Sequence, residues 1–301
     1  MNRVLMIFID GVGIGEKDYQ YNPFFKNGFK IFNKIFKETP HKQNPYLEKE
    51  GMFIFPTDAR MGIEGLPQSG TGQVSIFCGV NAPGIVGKHF GPFPYSTTIQ
   101  IIKEQNIFKT YKDLNLSSYF VNAYPQVFFD YVNSGKSRLS TTALSCKLTG
   151  IKLNSITELR KSKALTAEIT NERWNRKLNY NLKEIKPETA ARRLLRIANK
   201  YDFTLYEFYL TDHLGHGRLN DEFDSIYNNL DRFLLTILSE LNKEDLTLII
   251  CSDHGNFEDL SVKTHTLNPA LTITAGKYSK ELAERINNLS DIKPSILKFC
   301  T

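Results

Sequence analysis

The chain has 301 residues, 38 Lys+Arg against 32 Asp+Glu for a formal net charge of +6, and is 41% hydrophobic and 23% charged. That composition excludes wholesale disorder, and no apolar run approaches the roughly 18–20 residues of a membrane span. Cys78, Cys146, Cys251 and Cys300 lie far apart without a CxxC pair, which excludes a zinc ribbon or disulfide framework and predicts thiols in a reducing, cytoplasmic setting.

In chain order, Val4–Ile9 is an apolar run too short for a signal peptide, and it reads as a buried strand leading into Asp10-Gly11-Val12-Gly13. Leu66-Pro67-Gln68-Ser69-Gly70-Thr71-Gly72-Gln73 follows, ahead of the helix-like Val74–Cys78, and then a Gly/Pro loop containing Lys88 and His89. Ser118–Val121 is a second strand. Residues 125–186 fit the pattern poorly and are expected to form an inserted basic cap or lid, in which the lone Trp174 packs. Between Asn133 and Lys200 there are 16 Lys/Arg and 5 Asp/Glu, a local charge of 16 − 5 = +11, which leaves −5 for the rest. Such a stretch is either a solvated helical face or a lure for an anionic ligand; nucleic acid is a weaker option because no binding motif accompanies the charge.

Pro187-Glu188 starts an amphipathic helix with Ala191, Leu194, Leu195 and Ala198 inward. Thr204–Leu210 is a strand, Asp221–Leu241 a helix with Phe223, Ile226, Tyr227 and Leu230 on its apolar face, and Leu246–Cys251 and Ala270–Ile273 are strands. The alternation predicts an α/β fold with a mostly parallel sheet covered by helices on both faces, residues 1–124 and 187–301 forming the core.

Three of these strands run into an aspartate: Asp10, Asp212 in Asp212-His213-Leu214-Gly215-His216, and Asp253 in Asp253-His254. In an open parallel sheet the carboxyl ends of the strands share one edge, where ligands bind. Four of the six histidines (His213, His216, His254 and His265) fall in these loops or just before the last strand. Each residue alone is readily a turn Asp or a hydrogen-bonded His. Together, unpaired carboxylates at one edge repel unless a divalent cation such as Zn²⁺ or Mn²⁺ joins them. Ser69, beside small residues at a helix entrance, could attack a phosphate held by backbone N–H groups; taken alone the segment is an N-cap and turn.

The order of these motifs resembles the alkaline phosphatase superfamily, in particular its phosphopentomutase and cofactor-independent phosphoglycerate mutase branch. The matching elements are Asp10, Ser69, Asp212-x-x-x-His216, Asp253-His254 and His265-Thr266-Leu267-Asn268-Pro269. The resemblance implies two divalent metals, Mn²⁺ or Zn²⁺ with Mg²⁺ possible. One would be held by Asp212, His216 and His265; the other by Asp10, Asp253, His254 and the Ser69 oxygen. It also implies phosphoryl transfer through a phosphoserine on a small phosphorylated metabolite. Gly70, Thr71, Gln73, Lys88 and His89 are then candidate substrate contacts, and His213 a candidate support for a ligand. The mutases carry Gly-His after the nucleophile where this chain has Gly72-Gln73, and Gln cannot carry a proton or a positive charge. Hydrolysis of a phosphate monoester is therefore the default expectation, ahead of a phosphomutase and a non-catalytic anion binder.

Overall fold

The computed structural model describes residues 3–136 and 138–301. Seven strands form one sheet: β1 (Arg3–Ile9), β2 (Leu47–Lys49), β3 (Met52–Thr57), β4 (Ser118–Phe120), β5 (Phe203–Phe208), β6 (Leu246–Cys251) and β7 (Ala270–Gly276). Their order is β2-β3-β7-β6-β1-β5-β4. β1 pairs in parallel with both β5 and β6, and β4 in parallel with β5. β7 is antiparallel to β6, β3 to β7 and β2 to β3, so five strands point one way and two the other.

Every residue of β1 after Arg3 is buried, and its side chains alternate between two cores. Leu5, Ile7 and Ile9 join one cluster and Val4, Met6 and Phe8 the other, as a strand covered on both faces requires. The first cluster is closed by the helices Pro187–Ala198 and Phe223–Glu240, with Leu194, Tyr227, Leu230 and Phe233 pointing inward. The second is closed by the helices Ser69–Cys78, Ile107–Asp113 and Ile292–Cys300; Phe77 meets Phe8 edge-on at 5.8 Å.

Three details differ from the sequence expectation. The last strand is antiparallel rather than part of a parallel array. The strand predicted through Leu210 stops at Phe208, and Leu210 already begins the helix Leu210–Gly215. The β2–β3 hairpin was not among the strands read from the sequence, and it contains Pro56. Pro56 is tolerated because β2 pairs only as far as Ile54, so the missing N–H has no strand to face on that side.

Within residues 125–186, the helix Thr141–Thr149 buries Cys146 in the second core, and Leu165 and Ile169 reach the first. Leu159, Ala164, Trp174 and Leu182 form a small cluster of their own with Ala123. Several of the basic side chains there are already paired, Arg173, Arg176 and Lys177 converging on Glu222, and from the helix Pro187–Ala198 Arg193 and Arg196 bond the carbonyls of Ala164 and Ser162.

Candidate metal centre

β6, β1 and β5 are neighbours running the same way, so Asp253, Asp10 and Asp212, which follow them, arrive at one edge of the sheet. Because β7 runs the other way, its entering end lies at that same edge, and His265, five residues before Ala270, joins them. Gly11 makes the turn after Asp10 with φ of +71°, and a side chain there would meet the Cβ of Asp212 at 3.0 Å.

The resulting cluster is tight and dry. Asp212 Oδ1 lies 3.3 Å from His216 Nε2 and 3.4 Å from His265 Nε2. His254 Nε2 lies 3.3 Å from Asp10 Oδ1, 3.6 Å from Asp253 Oδ1 and 3.0 Å from Ser69 Oγ. Two groups of side chains could each hold a metal ion: Asp212, His216 and His265, and Asp10, Asp212 and His254. Asp212 thus reaches both groups, where the sequence expectation gave it to one only. Asp253 borders the second group through its contact with His254.

The orientation of the histidines fits a cation. Nδ1 of His216 faces the Lys263 carbonyl at 2.7 Å and Nδ1 of His265 the Pro67 carbonyl at 2.6 Å. A carbonyl only accepts, so each Nδ1 carries a hydrogen and each ring turns Nε2 toward the carboxylates. Asp10 Oδ1 and Asp253 Oδ2 are buried without a hydrogen-bond partner. Burial first, then the charges of Asp212 and Glu207, hold the Asp10 carboxyl well above the usual carboxylate range. Burial and the neighbouring Asp10 push Asp253 up to about 8. Burial would raise Asp212 as well, but His265, His254, Asn256 and His216 outweigh it and hold Asp212 below its ordinary value. Orphaned carboxylate oxygens beside inward-turned imidazole nitrogens are a donor set that a divalent cation completes.

Ser69 is the first residue of its helix, after an extended Gln68, and is buried. Gly70 has no room for a side chain, since a Cβ would stand 2.2 Å from the Phe93 carbonyl oxygen. Thr71 donates its N–H to the Phe90 carbonyl at 2.8 Å, which ties the helix start to the loop after His89. Gln73 is buried with its Oε1 unpartnered. Of the other expected contacts, His213 follows Asp212 directly in the chain and feels its charge. Lys88 is exposed, the His89 ring faces the Ile63 carbonyl at 3.3 Å, and the His213 ring packs on Tyr209.

Support for the ligands comes from residues that the sequence did not single out. Asn256 donates to Asp212 Oδ1 at 2.8 Å. Glu258, almost wholly buried, accepts from the N–H groups of Gly13 and Asn256 with one oxygen and from Thr266 and Asn268 with the other, pinning three ligand loops together. Nothing in the spacing of Asn256-Phe257-Glu258-Asp259 marks Glu258 out.

A family model described as the metalloenzyme superfamily matches residues 2–301. The chain belongs to the metalloenzyme superfamily. This is the alkaline phosphatase-like family to which the motif order pointed. Over 108 residues this metalloenzyme is 30% identical to a 2,3-bisphosphoglycerate-independent phosphoglycerate mutase of Clostridium botulinum, covering 34% of this chain and 21% of that one, so the match spans only about a fifth of the relative's length. Among solved structures, the PH0037 protein from Pyrococcus horikoshii is 17% identical with a TM-score of 0.53, over 99% of this chain and 96% of that one. The lipoteichoic acid synthase LtaP from Listeria monocytogenes is 9% identical with a TM-score of 0.52, over 98% of this chain and 71% of that one. These two share the fold. The family match makes the chain a metalloenzyme. No helix among the described residues is long and apolar enough to cross a membrane.

Proposed function

We propose that this metalloenzyme transfers a phosphoryl group from a small phosphorylated metabolite through Ser69, with water as the default acceptor. The observation that carries the reading is the position of Ser69 Oγ, 3.0 Å from His254 Nε2 and inside the ring of carboxylates and imidazoles. Asp212, His216 and His265 would hold one divalent ion, and Asp10, Asp253, His254 and the Ser69 oxygen the other, with Asp212 shared between them. The mixed oxygen and nitrogen donors suit Zn²⁺ or Mn²⁺ better than Mg²⁺. Such ions supply Lewis acidity that lowers the pKa of a serine hydroxyl and neutralises charge on the phosphate oxygens.

The chain's own residues do the rest. The Ser69 helix fixes the hydroxyl and aims its first N–H groups at the edge of the sheet. Ser69 Oγ forms a bond to phosphorus as the ester oxygen leaves, giving a phosphoserine; attack by a second oxygen then releases the phosphoryl group and restores Ser69. Buried walls keep bulk water from the reacting atoms. Residues 125–186 are placed here as the cap over this edge, and the buried thiols suit a reducing cytoplasm.

Ser69→Ala should lower turnover of p-nitrophenyl phosphate in the presence of Mn²⁺ at least about a thousandfold. Full activity in that variant would refute the nucleophile. The match to phosphoglycerate mutases favours a second reading, a phosphomutase in which a substrate hydroxyl is the acceptor. Phosphorus NMR of a phosphoglycerate or sugar phosphate incubated with the protein separates the two: inorganic phosphate supports the hydrolase, an isomerised ester the mutase.

A further inference from the structure

Beside the ligand cluster, between the carboxyl end of β5 and residues 125–186, lies a cavity of about 190 Å³. Its position relates it to the chemistry. Phe203 and Leu205 point into the second core, so the alternation of β5 puts Glu207 on the same face of the sheet as the Ser69 helix. Leu210, which also lines the cavity, opens the short helix that carries Asp212. The charge of Glu207 is felt at Asp10.

The walls have an unusual chemistry for a site that would take an anionic metabolite. Two are buried carboxylates, Glu207 and Glu168, 6% and 7% exposed. Neither has an ion-pair partner among the described residues. Glu207 accepts from Thr142 at 3.3 Å, while Glu168 accepts from Thr170 with one oxygen and leaves Oε1 buried with no partner. Trp174 and Tyr124 supply flat apolar faces. Arg173 and Lys177 also reach the cavity, but both are turned to Glu222, Lys177 at 3.7 Å. Burial pushes the Glu207 carboxyl up to about 7 and raises Glu168 as well, so this lining already resists negative charge. A substrate carboxylate brought beside them would add to that charge, whereas a hydroxyl can accept from a protonated carboxyl and donate to an ionised one. With Arg173 and Lys177 engaged by Glu222, a neutral alcohol is the group that satisfies Glu207 and Glu168 in either protonation form.

We propose that this cavity receives the carbon skeleton of the phosphorylated substrate and selects skeletons that present hydroxyl groups to Glu207 and Glu168 over skeletons that end in a carboxylate. The proposal rests on the phosphoryl-transfer reading for where the phosphate sits. It separates this protein's substrate from phosphoglycerate, the compound in the name of its curated relatives.

Trp174, the single tryptophan, lines the cavity and reports on it directly. Ser69→Ala protein with Mn²⁺ is titrated with glycerol 3-phosphate, 3-phosphoglycerate and inorganic phosphate while Trp174 fluorescence is followed. The first two differ only in an alcohol against a carboxylate at the far end. Glycerol 3-phosphate should change the emission and bind at least tenfold more tightly than 3-phosphoglycerate. Inorganic phosphate should compete with it while leaving the emission of the free protein unchanged. Glu207→Gln should weaken glycerol 3-phosphate about tenfold or more, as loss of one charge-assisted hydrogen bond does, with no loss of affinity for inorganic phosphate, since removing a charge felt at Asp10 cannot repel the anion. Glu168→Gln provides the same comparison should Glu207→Gln misfold.

Equal affinity for the two esters overturns the proposal, as does a Trp174 silent to glycerol 3-phosphate. So does a Glu207→Gln effect that is the same for inorganic phosphate. Turnover of glycerol 3-phosphate measured alongside keeps the two readings apart. Full turnover by Ser69→Ala faults the nucleophile and leaves the affinity ratio standing. A ratio near one, with turnover still dependent on Ser69, faults the cavity alone.

Discussion

Removing divalent metal with a chelator should make the protein lose stability as the pH rises from about 5 to about 8. Asp253 is fully buried and its folded carboxyl is held at about 8, against an ordinary value of 3.8; Asp10 is raised in the same direction. Between those two values the unfolded chain has released its proton while the folded chain keeps it. Each step up in pH therefore favours the unfolded state, and the loss is complete above the folded pKa. A gap of about four units corresponds to roughly 6 kcal/mol as a ceiling, since side chains and water relax around the charge. Asp212 is shifted downward, so its stabilising contribution is lost only at more acid pH, beneath this window.

Asp253→Asn isolates the effect. Oδ1 receives the Gly11 N–H at 3.3 Å and an amide oxygen keeps that bond, whereas Oδ2 has no partner and gains by becoming an NH₂ that can donate. In the metal-free state this variant should be a few kcal/mol more stable than wild type at pH 8, with a flatter pH profile. Urea unfolding in EDTA at pH 5, 6.5 and 8, followed by far-ultraviolet circular dichroism, gives both numbers. Adding Mn²⁺ or Zn²⁺ at a hundred times its Kd should stabilise wild type by about 3 kcal/mol and the variant by much less. A metal-free wild type equally stable at pH 5 and 8 would refute the reasoning, as would a metal-free Asp253→Asn weaker than wild type at pH 8.

Glu258→Gln should cost about 2–4 kcal/mol in thermal or urea unfolding, because whichever way the amide turns, an NH₂ faces groups that now donate to a carboxylate. It should also weaken Mn²⁺ binding measured by calorimetry, and an unchanged metal affinity would deny the residue its part in aligning the loops. Gly70→Ala puts a methyl group 2.2 Å from the Phe93 carbonyl oxygen, so the start of the Ser69 helix must shift; turnover should fall about a hundredfold, and retention of wild-type turnover would show that the position of Ser69 is not critical.

The strand-end aspartates were legible because a run of β-branched and apolar residues ending in Asp is visible locally, and β1, β5 and β6 do lie side by side in parallel. The direction of β7 was not legible. Nothing within Ala270–Gly276 states which way it runs, yet only the antiparallel course brings His265 to the edge where Asp212 waits. Gly70 and Ser69 could be read as a helix entrance, but the Phe90 and Phe93 carbonyls that crowd it come from a loop whose path is set by tertiary packing. Glu207 and Glu258 escaped notice for a common reason. A lone acidic residue carries no spacing signal, and its burial is a property of the assembled sheet. The one charge inside Phe203–Phe208 was the available clue.

The placement of β1 in the middle of the sheet has a consequence for how the molecule comes into being. Its neighbours are residues 203–208 and 246–251, so an apolar ribbon made early has both hydrogen-bonding edges uncovered until most of the chain has been synthesised. Such long-range pairing is slow and leaves sticky intermediates. The growing polypeptide should therefore depend on chaperones that shield Val4–Ile9, and on the proposed ligand set an ion would be captured only after the ribosome has delivered His254 and His265.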